Sequence, residues 1–110
     1  MSAGGGTIEL SRCEACFARF LPTDGPCPRC GATRIVPYAA PGVGRVVAST
    51  ELHVPPPGVR SPHRLAIVEV ADAVRLLASI DGPLPIRGDL VGVRKDGDVY
   101  RARAEPTPEV

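Results

Sequence analysis

The chain has no tryptophan, two phenylalanines, two tyrosines and a single lysine, and it contains no long apolar run. Too few aromatics are present to stack successive bases along a single strand. A membrane-crossing helix needs about 20 consecutive apolar residues, and none is found. The opening MSAGGGTIEL lacks the basic start and apolar centre of a secretory signal, so the expected location is cytoplasmic. Strong charge of either sign is also missing, the net value being +1 from 13 basic and 12 acidic residues. A protein devoted to gripping phosphate backbones would carry a basic excess. No glycine-rich loop leads into a helical pattern, which removes a phosphate cradle. The two histidines lack the orienting partners of a nucleophile-base arrangement.

What is present is concentrated. All four cysteines fall in RCEACFARFLPTDGPCPRCG, between Arg12 and Gly31. Cys13 and Cys16 form one C-x2-C pair, and Cys27 and Cys30 form a second. In a reducing compartment such clusters are ligands or redox groups more than disulfides. Neither pair follows a strand and opens a helix, as a thioredoxin-type redox motif would. Each tight turn lets two sulfurs converge while backbone N–H groups offset their charge, and two facing turns build a tetrahedral site. Four sulfurs close the coordination sphere, so the expected metal is a structural zinc. Iron in the same thiolate set, as in rubredoxin-like carriers, is the competing occupant. Pro28 and Gly31 suit the second turn, whereas Phe17 stands where the first would ordinarily have glycine.

The rest of the sequence reads as strand. A flexible tail is expected over 1–10, a zinc ribbon over 11–40, an OB-fold over 41–105 and a second tail over 106–110. VPYAAPGVG (36–44) reads as an extended link. Five strands follow: 43–54, 64–70, 74–80, 90–94 and 99–103. Lys95-Asp96-Gly97-Asp98 is a hairpin signal, and the two prolines of DGPLPIRGD argue for a loop. Alternation in the first strand places Val46, Ala48, Thr50, Leu52 and Val54 on one face, read as core, and Val47, Ser49, Glu51 and His53 on the other. Five short strands with long connections after the first and third suit a small barrel. The fold expected is therefore mostly β, a rubredoxin-like zinc ribbon followed by a five-stranded OB-fold barrel.

Outside the ribbon no residue set is compelling as catalyst. Glu51 and His53 form either an acid-base pair or an exposed, solvated one, and His63 sits in a loop. Arg60 and Arg64 bracket GVRSPHR, and Arg87 lies in a later loop; all three read as solvated charges or as a grip on a phosphate or an acidic partner.

The order of parts, CEACFARFLPTDGPCPRCG, then GVGRVVASTELHVPPPG, then IRGDLVGVRKDGDVYRARAE, resembles the acyl-CoA-associated zinc-ribbon/OB-fold family, long labelled domain of unknown function thirty-five. The likeness spans Ser11 to Glu105. It departs from its relatives in having about ten residues before Arg12 where many carry a helical segment, and in placing His63 where an aromatic usually follows Pro62. The resemblance implies a non-catalytic accessory subunit. Its protein partner would be a thiolase-fold or hydratase-type acyl-CoA enzyme in a hetero-oligomer, with the chemistry on the partner. The chain would help form the acyl-CoA channel or pass an intermediate between enzymes. A stiff ridge of prolines loses little entropy on binding, so the partner surface is expected around His53, Pro55, Pro56, Pro57, Arg60, His63 and Arg64. A single-stranded nucleic-acid-binding ribbon/OB protein is the alternative.

Overall fold

The computed structural model describes residues 6–53, 57 and 63–104. Two sheets account for nearly all of its order. The first has three strands, β1 (Thr7–Cys13), β2 (Arg19–Phe20) and β3 (Ile35–Pro41), in the order β2-β1-β3. The second is a closed barrel of β4 (Val43–Leu52), β5 (His63–Glu69), β6 (Arg75–Ile80), β7 (Leu90–Asp96) and β8 (Val99–Ala104). Its order β4-β5-β6-β8-β7, with β6 and β8 parallel and the other neighbours antiparallel, is the five-stranded OB arrangement.

The five expected barrel strands are all present, with ends shifted by a few residues. His63, expected in a loop, instead opens β5 opposite Leu52. Three readings are corrected. The flexible tail expected over 1–10 is strand from Thr7 onward, because Ile8 and Leu10 alternate with polar neighbours and are buried beneath the sheet. The link expected over 36–44 belongs mostly to β3, which pairs with β1 from Ile35 to Pro41. Pro37 and Pro41 are tolerated because β3 is an edge strand. The face reading of β4 fails beyond Val46: a register shift between Val46 and Ala48 turns the strand, and Ala48, Thr50 and Leu52 face outward. Val46 uses its N–H and C=O on the later loop, accepting from Gly88 N–H and donating to Asp89 O, which produces the bulge.

The core runs through both sheets. Val46, Ala66, Val68, Leu76, Ala78, Val91, Val93 and Ala102 fill the barrel, and Ile8, Leu10 and Ala40 of the small sheet join the same apolar cluster. The boundary expected after residue 40 therefore cuts a continuous core. Gly42 joins the two sheets, donating to Gly6 O and accepting from Val93 N–H. Gly44 lies so close to β5 that a Cβ there would stand 2.6 Å from Glu69 O and from Val68 Cγ1.

Candidate functional site

β1 ends in the first cysteine turn and β3 begins after the second, so the pairing of Cys13 with Ile35 brings the two turns together. The turns repeat each other bond for bond. Phe17 N–H donates to Cys13 O and Gly31 N–H to Cys27 O, each at 2.9 Å. Cys13 N–H reaches Ala18 O at 2.9 Å, and Cys27 N–H reaches Ala32 O at 2.8 Å. Ala15 and Cys16 N–H point at Cys13 Sγ (3.3 and 3.5 Å), as Arg29 and Cys30 N–H point at Cys27 Sγ (3.3 and 3.4 Å). Phe17 and Gly31 occupy equivalent places, both left-handed, with φ of 64° and 82°.

The four sulfurs lie within 4.8 Å of one another. Cys13 and Cys30 sulfurs are 3.6 Å apart, and Cys16 and Cys27 sulfurs 3.7 Å. A disulfide requires about 2.05 Å, so no pair is bonded. A tetrahedron with metal–sulfur bonds of about 2.3 Å has edges of about 3.8 Å, which these separations match. The donor set, all sulfur with N–H groups aimed at it, fits a thiophilic ion. Cys13 and Cys27 are buried, Cys16 is half-buried and Cys30 is exposed. Burial pushes the Cys27 thiol up, but the Cys30 and Arg29 N–H groups outweigh it and bring it to about 6. The Cys16 N–H leads in lowering Cys13. At Cys30 the Ala32 N–H pulls downward, yet the crowding sulfurs and burial leave it raised to about 12. Four thiols this close do not all ionise until a cation offsets their mutual repulsion.

Of the remaining expected site residues, His53, His63 and Arg64 lie where β4 ends and β5 begins. Glu51 is opposite Arg64 across β4 and β5, and Arg64 Nε donates to Glu51 Oε2 at 2.8 Å. Arg64 also donates to Gly82 O at 3.0 Å. It is thus a cross-strand tie, where the sequence offers a solvated charge or a grip on a phosphate or an acidic partner. His53 Nε2 stands 3.4 Å from the other oxygen of Glu51 with its ring largely exposed. His63 and Pro57 are described; Pro55, Pro56 and Arg60 lie outside the described residues. Ser49 and Arg45 fasten the later loop to β4 by donating to Pro85 O and Gly88 O.

A third cluster escaped sequence reasoning. Arg19 of β2 and Tyr38 of β3 both donate to Asp72 Oδ2, at 2.9 and 2.8 Å, and Arg19 lies 5.1 Å above the Tyr38 ring. Asp72 is in the tight turn Ala71–Ala73 joining β5 to β6, so the cluster clasps ribbon to barrel. No spacing rule links residues so distant in sequence. Among the described residues no helix is long and apolar enough to cross a membrane.

Comparison with known proteins agrees with this architecture. A solved structure described as an Ltp2-ChsH2(DUF35) aldolase superposes with a TM-score of 0.70 at 27% identity, over 89% of this chain and 84% of that one. A DUF35-family protein of unknown function from Sulfolobus solfataricus shares the fold, with a TM-score of 0.62 at 18% identity over 90% of this chain and 76% of that one. A curated relative from Thermomonospora curvata, "Probable enoyl-CoA hydratase alpha subunit", is 32% identical over 79 residues, 71% of this chain. The chain spans about a quarter of that relative's length. Residues 37–96, from β3 to the end of β7, match the family described as "ChsH2, C-terminal OB-fold domain". The chain belongs to this family of ChsH2 C-terminal OB-fold domains.

Proposed function

We propose that this chain is a non-catalytic accessory subunit of an acyl-CoA-processing complex, docking on a thiolase-like enzyme that performs the chemistry. The observation that carries the reading is the likeness of ribbon and barrel together, over 89% of the chain, to a solved structure described as an Ltp2-ChsH2(DUF35) aldolase. The curated relative supports an acyl-CoA setting, since there the same stretch forms part of a hydratase subunit. Four sulfurs surrounding one ion leave no position for substrate, so Cys13, Cys16, Cys27 and Cys30 would hold a structural zinc. Bound there, the ion supplies folding free energy to a ribbon poor in apolar side chains.

In this reading the end of the barrel bearing His53, Pro57, His63 and Arg64, with Pro55, Pro56 and Arg60 of the same segment, meets the partner near its acyl-CoA channel. Glu51 and Gly82 hold Arg64 in place, so its aliphatic stem is presented with little entropy left to lose. The chain would shape that channel or help pass an intermediate from one enzyme to the next.

The test is a tagged pull-down from the native host at moderate salt, with partners identified by mass spectrometry and the complex then reconstituted from purified subunits. Near-stoichiometric recovery of a thiolase-fold or hydratase subunit is expected. Recovery of the chain alone, or with nucleic acid that washes off as salt rises, overturns the proposal and favours a nucleic-acid-binding module.

A further inference from the structure

The two cysteine turns share one hydrogen-bond pattern, and they differ in sequence at three positions, Glu14 against Pro28, Ala15 against Arg29 and Phe17 against Gly31. Where the second turn has Gly31, the first has Phe17, and both backbones are left-handed. Glycine adopts this conformation freely, while a side-chain-bearing residue adopts it under strain. Phe17 is also 70% exposed. Strain without burial gives the isolated chain nothing in return, and the sister turn demonstrates that glycine completes the same hydrogen bonds.

The geometry points to Phe17 as a docking anchor: we infer that its ring inserts into an apolar socket, rimmed by carboxylate, on the thiolase-like enzyme subunit. This rests on the accessory-subunit reading above. Aromatic side chains that protrude from a fixed backbone dominate protein interfaces because they bury a large area and lose few rotamers. Here the backbone is fixed on both sides, by the Phe17 N–H bond to Cys13 O and by Cys16, a candidate ligand immediately before it. Charge supplies the character of the rim. Of the ribbon's four arginines, Arg12 is near Glu14 and Arg19 is bound to Asp72. Arg29 and Arg34 have no carboxylate within 4.0 Å among the described residues, and a partner's acidic side chains would complement them. A base-stacking role is disfavoured, because one exposed ring forms no platform.

The test compares wild type, F17G and F17L for binding to the purified thiolase-fold subunit recovered in the pull-down, by calorimetry. F17G is expected to keep its metal content and to melt at the same temperature or higher, since it restores the residue of the sister turn. Its affinity should fall by about tenfold or more, with F17L intermediate. Stability and binding then move in opposite or independent directions, which a merely structural Phe17 would not produce. If wild type binds and F17G binds equally well, the anchor is wrong while the accessory role stands; if wild type itself does not bind, the accessory reading fails first. Should the wild-type chain alone sediment as a dimer that F17G converts to monomer, the socket belongs to a second copy of this chain, and the assignment to the enzyme is overturned.

Discussion

The Tyr38 hydroxyl donates to Asp72 Oδ2 at 2.8 Å across 34 residues of sequence, and the same oxygen accepts from Arg19 at 2.9 Å. Asp72 and its neighbour Ala73 are both left-handed, at φ of 58° and 61°, so a turn without glycine is held from outside. The clasp sets the ribbon against the barrel.

Its strength is measurable. The side chains of Arg19 and Asp72 are more than a third exposed, and solvent screening keeps each polar contact small. Tyr38→Phe should cost about 0.5–1 kcal/mol in denaturant unfolding. Tyr38→Phe and Asp72→Ala together should cost less than their sum, by a few tenths of a kcal/mol or more, because they share one contact. Strict additivity would mean that the Tyr38–Asp72 bond contributes nothing.

The same tyrosine gives an alkaline signature. Burial, joined by the bond to Asp72, raises the Tyr38 hydroxyl above its ordinary value although Arg19 pulls the other way; burial also raises Tyr100. A phenol whose folded pKa is raised contributes stability below the unfolded value of about 10, and that contribution is lost as pH climbs through the folded value. Tyrosinate absorbance should therefore appear later in the folded chain than in the denatured one. Tyr38→Phe should remove part of the delayed signal and leave the Tyr100 part.

Inside the barrel, Gly44→Ala is expected to be far more damaging than a change at an open glycine such as Gly25. Its Cβ would meet Glu69 O and Val68 Cγ1 at 2.6 Å, with backbone on one side that cannot swing away. Overpacking of this kind costs about 1–3 kcal/mol, or roughly 4–8 °C per kcal/mol in a domain of this size. Gly25→Ala, with nothing within 4 Å of the added carbon, is the control and should leave the melting temperature nearly unchanged.

These contacts also explain what the sequence discloses and what it hides. The barrel strands are legible because β-branched runs are punctuated by Asp96-Gly97 and by proline-rich loops. The cysteine pairs are legible because a local turn geometry is written in their spacing. β1 is harder to see: Ile8 and Leu10 give only two apolar positions after a glycine-rich start, and their burial depends on a barrel that comes later in the chain. β3 hides behind Pro37 and Pro41, which read as a linker unless the strand is known to lie at an edge. The bulge after Val46 leaves no trace in an apolar VVA, since it is set by the Gly88–Asp89 backbone. Asp72, Arg19 and Tyr38 are ordinary residues individually and become a clasp only in three dimensions.

Arg64 illustrates how a candidate interface residue must be tested. Its guanidinium already binds Glu51 and Gly82 O, so Arg64→Ala should weaken the fold as well as any docking. About 0.5–1 kcal/mol is expected for a pair whose side chains remain a quarter to a third exposed. Glu51→Gln should reproduce the stability loss while leaving the positive charge in place. If Arg64 also meets the partner, Arg64→Ala will lower binding to the reconstituted enzyme more than Glu51→Gln does; equal effects would restrict Arg64 to a structural tie.

A metal held by the four-cysteine cluster would compete with protons for its sulfurs. In the metal-free chain Cys27 is lowered to about 6 and Cys30 raised to about 12, so one sulfur is ready to bind while another keeps its proton near neutrality. A divalent ion must expel that proton, and its affinity therefore increases with pH. The sign at Cys27 agrees: a thiol with a lowered folded pKa contributes stability above its unfolded value and loses it as pH falls through the folded one. Cys30 opposes this in the metal-free chain, since a raised thiol favours folding only while protonated, and metal binding removes that opposition. The melting temperature of the loaded protein should thus exceed that of the stripped protein by a wide margin near pH 8, with the gap closing as pH falls below about 6. Cys27→Ser should abolish the gap at every pH and lose about one equivalent of metal by elemental analysis, the free energy at stake being on the order of 10 kcal/mol for small zinc sites. A gap that stays constant across this range, or a Cys27→Ser variant that keeps its metal, would rule out the closed four-thiolate centre.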